Sequence, residues 1–167
     1  MQNPKLKVGW FSFTCCEDSL IVFTEILNTK FFDWKKEIEF QHFRILKTKN
    51  DIHNLDIAFV EGAISSSKQA DELLKVRINA NKLVAIGSCA VTGQPSNKRN
   101  DFPKDILDKY KDTFEKFKYS PSVKKVSDVV NVDDSLSGCP MNEAEFITKF
   151  EGYIEEFKKQ NIVKQNA

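Results

Sequence analysis

Four cysteines hold the chemistry this sequence can offer: Cys15 and Cys16 side by side, and Cys89 and Cys139 each alone. Thiolates are soft ligands, suited to zinc and to iron–sulfur groups. The first pair ends the apolar run 6–13, which reads as a buried β-strand. Glu17, Asp18 and Ser19 follow, types favoured by the positive N-terminus of a helix. Cys89 stands two residues beyond Gly87, where a second apolar run breaks, and Cys139 sits in the turn Gly138-Cys139-Pro140. A carboxylate, Glu61, ends a third run at 56–60. In an α/β protein, groups placed just past strands lie on the carboxyl edge of the sheet, where ligands bind. Thiols in a cytoplasm stay reduced, so four that converge are expected to be metal ligands rather than disulfides.

Three uses of the four thiols remain open on the residues alone. A [4Fe-4S] cluster takes one thiolate at each iron corner and accepts ligands from separate loops. A four-cysteine zinc site takes the same donors, but is usually built from knuckles with two residues between cysteines, which adjacent Cys15 and Cys16 cannot form. Unligated core or redox cysteines are the third. Gly87, Gly93 and Gly138 flank the candidates and would let backbone N–H groups approach a bulky inorganic group. Absent features narrow the function further. There is no Walker loop, no Gly-x-Gly-x-x-Gly after the first strand, no second cysteine set and no His-Glu-x-x-His. What is left is a relay whose reactive centre belongs to a partner.

The elements that must position these groups alternate. The spacing predicts a helix over 18–30, an aromatic cluster at Phe31, Phe32 and Trp34, and a strand over 38–46 holding His42, read as a half-exposed strand histidine. A strand over 56–60, a crossover helix over 67–80 and a strand over 82–90 follow. Residues 91–102 read as a loop, 103–117 as one surface helix opening at Pro103, 123–132 as containing a fourth parallel strand, and 142–159 as the closing helix. Trp10, Phe11 and Phe13 are expected in the core, which 14 Phe help to fill. The expectation is a single flavodoxin-like α/β domain over 1–160, a three-layer sandwich with a mainly parallel sheet, and a polar tail over 161–167.

At 167 residues, with 25 basic and 24 acidic side chains, the net charge of +1 gives no reason to expect nucleic acid. No apolar stretch approaches the roughly 20 residues of a transmembrane segment, and no signal peptide is visible, so a soluble, cytoplasmic protein is expected.

The segments Thr14-Cys15-Cys16-Glu17, Val60-Glu61-Gly62-Ala63-Ile64, Ala85-Ile86-Gly87-Ser88-Cys89-Ala90 and Gly138-Cys139-Pro140 resemble the cluster-binding domain shared by [NiFe]-hydrogenase small subunits and the 20 kDa subunit of respiratory complex I. The resemblance runs from about residue 8 to about 150. It implies one [4Fe-4S] cluster, the proximal one of hydrogenases, held by Cys15, Cys16, Cys89 and Cys139. Most hydrogenase small subunits place the first ligand where Phe13 stands here, and the adjacent pair is similar to the complex I pattern. Val60-Glu61-Gly62-Ala63-Ile64 and Ala90-Val91-Thr92-Gly93-Gln94-Pro95 look more like cytoplasmic, group 3-type hydrogenases, and complex I subunits usually have Pro-Arg where Met141-Asn142 stand. The hydrogenase side is favoured.

That side implies the electron-transfer subunit of a soluble [NiFe]-hydrogenase, an oxidoreductase acting on H2. The nickel and iron would be held by a large subunit, and electrons would leave one at a time to a further redox partner. With no cysteine beyond Cys139, a minimal one-cluster form is expected. Glu61 is either an aid to contact or proton movement at the subunit interface or a carboxylate capping the following helix. Glu17 reads as a helix-dipole residue, and Arg99 as a large-subunit contact or a solvated loop charge. The alternatives are a complex I-like subunit reducing a quinone or other acceptor, and a non-redox scaffold holding zinc through the four cysteines.

Overall fold

The computed structural model describes residues 4–165. The first three residues of the N-terminal stretch and the last two of the expected tail lie outside the described residues. Strands β1 (Leu6–Ser12), β2 (Ile38–His42) and β3 (Leu55–Glu61) begin a sheet. The short β4 (Ile64–Ser66) leaves it, β5 (Ala80–Ile86) returns to it, β6 (Tyr119–Lys124) pairs antiparallel with β4, and β7 (Asp134–Leu136) closes it. The sheet order is β2-β1-β3-β5-β7, parallel throughout. Counting only these five strands in chain order gives 2-1-3-4-5, the flavodoxin-like winding.

Burial on both faces explains why β3 and β5 read as continuous rather than alternating apolar runs. One face presents Val8, Trp10, Ile57, Phe59 and Ile86 to helices α1 (Asp18–Glu37) and α6 (Glu143–Gln165). There the Trp10 and Phe23 rings stack at 4.8 Å between centroids, and Phe59, Phe146 and Phe150 pack edge and tilt around them. The other face presents Phe11, Ala58, Val60, Leu83 and Ala85 to Leu73 and Val76 of helix α2 (Ser67–Asn79). Ser66 caps α2, its hydroxyl accepting the Gln69 N–H at 3.2 Å. Ser66→Ala is expected to cost about 1 kcal/mol, read as a lower urea midpoint at unchanged slope.

Several expected boundaries move. Helix α1 continues through the aromatic cluster, burying Trp34 and leaving Phe32 exposed, and ends where Ile38 turns extended. Strand β2 stops at His42. The expected strand within 123–132 is corrected. Residues up to Lys124 belong to the antiparallel β6, and Val126 and Val130 drop into the α2-side core from a 3-10 turn. Their apolarity reflects burial, not strand pairing. The true edge strand is β7, hidden in sequence by two acids. Asp133 Oδ2 accepts the Leu83 N–H at 2.7 Å and pairs with Arg77. Asp134 binds Lys149 Nζ at 2.8 Å and Tyr153 Oη at 2.6 Å. The single helix expected over 103–117 breaks at Tyr110 into α4 (Lys104–Lys109) and α5 (Lys111–Lys116), after the short α3 (Gly87–Thr92) and a 3-10 turn Ser96–Asp101. Neither α4 nor α5 buries a residue, so no packing face holds one axis. Helix α6 runs on to Gln165, into the stretch read as a tail. Among the described residues no helix is long and apolar enough to cross a membrane.

His42 is half-buried, its ring stacked on Phe11 at 4.2 Å, and burial lowers its pKa from the usual 6.5 against the opposing bond to Trp10 O. The folded state therefore resists a proton that the unfolded chain accepts, so stability falls as pH drops through about 6.5 and levels off below the lowered folded value. His42→Gln should remove that slope from urea midpoints measured between about pH 7.5 and 5.

Candidate functional site

The parallel register lines up four strand ends. Ser12 pairs with Glu61, Glu61 with Ile86 and Ile86 with Leu136, so these residues form one row across β1, β3, β5 and β7. Cys15, Cys89 and Cys139 are each the third residue beyond that row. Neighbouring strands are about 4.8 Å apart, so three loops deliver their sulfurs to one rim. Cys15, Cys16, Cys89, Cys139 and Glu61 line a single cleft there, with Ser19, Gly87 and Gly138 among its walls.

Backbone hydrogen bonds lace the loops together. Thr14 and Ala63 exchange two bonds of 3.0 and 2.9 Å, and Phe13 N–H donates to Glu61 O at 2.8 Å. Ser88 N–H donates to Gly138 O at 2.7 Å, and Met141 N–H donates to Ser19 Oγ at 3.2 Å. Two glycines make these approaches possible. A Cβ on Gly62 (φ 93°) would stand 2.9 Å from the backbone of Phe13 and Thr14. One on Gly138 (φ 134°) would stand 2.5 Å from Pro140 O. Gly93, by contrast, is the left-handed cap of α3 and does not line the cleft.

Cys89 is buried with Ser96 Oγ 3.3 Å from its sulfur, Cys15 is half-buried, and Cys16 and Cys139 are exposed. Burial, with the nearby Glu61 carboxylate adding to it, pushes the Cys15 thiol up to about 12. Glu61 is itself raised by burial, against the stabilising Ser19 N–H at 3.0 Å. The Trp10 indole also favours the charged form, yet Trp10 Nε1 and Glu61 Oε2 are both buried without a hydrogen-bond partner. Among the described residues no Lys, Arg or His lines the cleft. Reactive thiols are lowered by a neighbouring cation, a helix N-terminus or a metal, whereas the Cys15 thiol is raised, a poor setting for a nucleophile. A metal group supplies the missing positive charge and deprotonates its ligands on binding. Among the described residues no three His, Cys, Asp or Glu side chains stand close enough to share one ion.

Residues 15–152 match the family described as "NADH ubiquinone oxidoreductase, 20 Kd subunit". The chain belongs to this family. All four cysteines of this 20 kDa-subunit member fall inside the matched span. It is 29% identical over 130 residues to an uncharacterized protein of Methanocaldococcus jannaschii, covering 74% of this chain and 50% of that one. It is 25% identical over 147 residues to sulfhydrogenase 2 subunit delta of Pyrococcus furiosus, covering 84% and 58%. The chain thus spans between half and three-fifths of the curated relatives it matches. Its fold superposes with a TM-score of 0.81 on a chain of the crystal structure of an NAD+-reducing [NiFe]-hydrogenase in the H2-reduced state, at 22% identity, covering 92% of this chain and 93% of that one.

Other expected residues of the 20 kDa-subunit chain fall as follows. Glu61 caps a helix, but the helix is α1, which precedes it in sequence, and not α2, which Ser66 caps. Glu17 takes a left-handed conformation (φ 64°) at the start of α1, with its side chain exposed. Trp10 and Phe11 are buried and Phe13 is half-buried. Arg99 is neither free nor fully solvated. Its guanidinium lies over the Phe114 and Tyr119 rings at 5.1 and 5.2 Å and donates to Ser120 O at 2.8 Å, clasping the segment that carries α4 and α5. The sequence reading gave two residues no place in the site, Ser19 being read only as part of a helix start. Ser19, buried behind the helix start, binds Glu61 through its N–H and receives Met141 through its hydroxyl. Ser96 sits against Cys89 from a turn-rich stretch. No sequence signal marks either, because a serine in a helix start or a turn is ordinary.

Proposed function

We propose that this chain is the electron-transfer subunit of a soluble, cytoplasmic [NiFe]-hydrogenase, binding one [4Fe-4S] cluster through Cys15, Cys16, Cys89 and Cys139. The observation that carries the reading is the register: three loops place their thiols at the same offset past one row of strand ends, over a cleft that lacks any cation of its own among the described residues. A [4Fe-4S] group held there would take up and release one electron at a time. The chain's own residues keep its shell fixed. Ser96 reaches the Cys89 sulfur, Gly87 and Gly138 leave room for close backbone approach, and Glu61 ties the start of α1 to the row. The large subunit would hold the nickel and iron, and a second redox protein would take the electrons onward. Both the sulfhydrogenase name of the Pyrococcus furiosus relative and the [NiFe]-hydrogenase source of the matching fold support the hydrogenase side.

The adjacent pair Cys15-Cys16 favours one second reading, a complex I-like subunit passing electrons to a quinone. Anaerobic purification with whatever partner remains bound, followed by metal analysis and EPR, tests both. The expected result is about four iron and four sulfide per chain, a reducible signal, and a nickel-containing partner. An iron signal with a nickel-free partner favours the quinone reading, and a colourless protein holding zinc overturns both.

A further inference from the structure

The connection from β2 to β3, residues 43–54, crosses β1 through turns alone. Crossovers between parallel strands usually carry a helix that covers the sheet face. Without one, the ends of β1 and β2 beside α2 stay partly open, as a groove enclosing about 260 Å³. Its apolar lining is Phe11, Phe13, Ile52 and Val76. Its polar lining is Ser12, His42, Arg44, Glu72 and Lys75.

The His42 ring lies parallel to the buried Phe11 ring, 15° between planes, so the imidazole, backed by Phe11, is the flat aromatic wall of the groove. His42 Nδ1 is 2.9 Å from Trp10 O. A carbonyl only accepts, so Nδ1 holds the hydrogen and Nε2 is left as an acceptor with no partner among the described residues. Arg44 and Lys75 are exposed and form no ion pair among the described residues, whereas Glu72 faces Lys68 at 3.9 Å. The groove therefore sets two cations, Arg44 and Lys75, against the single carboxylate of Glu72, leaving it net positive over an apolar floor. Its volume lies just below the usual range for ligand sites, enough for one or two fused rings and too little for a dinucleotide.

We propose that this groove binds a small planar anion, one or two fused rings bearing a carboxylate, with the ring against the Phe11–His42 wall and the charge between Arg44 and Lys75. The site is separate from the cysteine cleft but shares its backbone, since Phe13 is two residues before Cys15. The probe is 2-naphthoate, titrated calorimetrically into the full chain, with the His42 imidazole resonances followed by NMR. Saturable binding that shifts His42 and not His53 is expected. It should weaken at least tenfold in the double variant Arg44→Gln/Lys75→Gln and stay unchanged in Lys109→Gln, on α4 and outside the groove lining. Neutral 2-naphthamide and non-planar cyclohexanecarboxylate should each bind at least tenfold more weakly. Absence of saturation at millimolar probe, or equal binding by the double variant, overturns the proposal. Both replaced side chains are exposed, so the variants should fold, and an unchanged far-UV spectrum checks this.

Discussion

If the four cysteines hold the proposed cluster, Cys89→Ser is expected to yield a folded chain that has lost its iron. Serine keeps nearly the same volume and the same hydrogen-bonding reach toward Ser96, but replaces a soft sulfur donor with a hard hydroxyl that soft metal centres bind poorly. Of the four thiols, Cys89 is the one buried, packed with Ala63, Val123 and Cys15, so water or a neighbouring side chain cannot easily take its place. Iron should fall from about four per chain to below one, with loss of the visible absorption, while the far-UV spectrum holds. Cys139→Ser, at the exposed rim, should show the same loss. Full iron content in both variants would remove the ligand assignment.

Gly138→Ala should destabilise the chain by about 2–4 kcal/mol. Two costs combine: a side chain held at positive φ, and a Cβ only 2.5 Å from the Pro140 carbonyl oxygen, where backbone rather than a flexible side chain must move. Moving it breaks the bond from Ser88 N–H that joins the last loop to α3. For a chain of this size the melting temperature should drop by roughly 5–15 °C, with iron content falling alongside. Gly152→Ala provides the contrast of sign. Gly152 lies exposed in the middle of α6 with nothing within 4 Å of a new Cβ, so alanine there should stabilise by about 0.5–1 kcal/mol.

Much of this architecture was legible in the residues. Val8 to Trp10, Ile57 to Val60 and Leu83 to Ile86 are buried in central strands, and such strands advertise themselves as unbroken apolar runs. That the cysteines share one rim was legible because Cys15, Cys16 and Cys89 follow apolar runs and Cys139 sits in a Gly-Cys-Pro turn. The failures have physical causes. Strand β7 opens at Asp134, just after Asp133, and the acceptor role of these two acids toward Leu83, Arg77, Lys149 and Tyr153 cannot be read from one strand alone. Val129 and Val130 misled because burial in a turn and burial in a strand leave the same composition. The β4–β6 ribbon joins residues more than fifty positions apart, with no alternation strong enough to announce it. Glu61 was read as a cap, but its recipient depends on which helix lies beside β3, a matter of sheet order rather than of neighbours in sequence.

The row of strand ends also fixes the order of events in assembly. Cys15 and Cys139 become neighbours only once β1, β3, β5 and β7 have all paired, so no local fragment of the chain contains a binding-competent set of sulfurs. A short metal-binding finger can be nucleated by its ion; under the proposed reading, insertion of the cluster here would follow completion of the sheet. On that reading the group would meet a finished sheet, and iron content would report whether β7, its last strand, has docked.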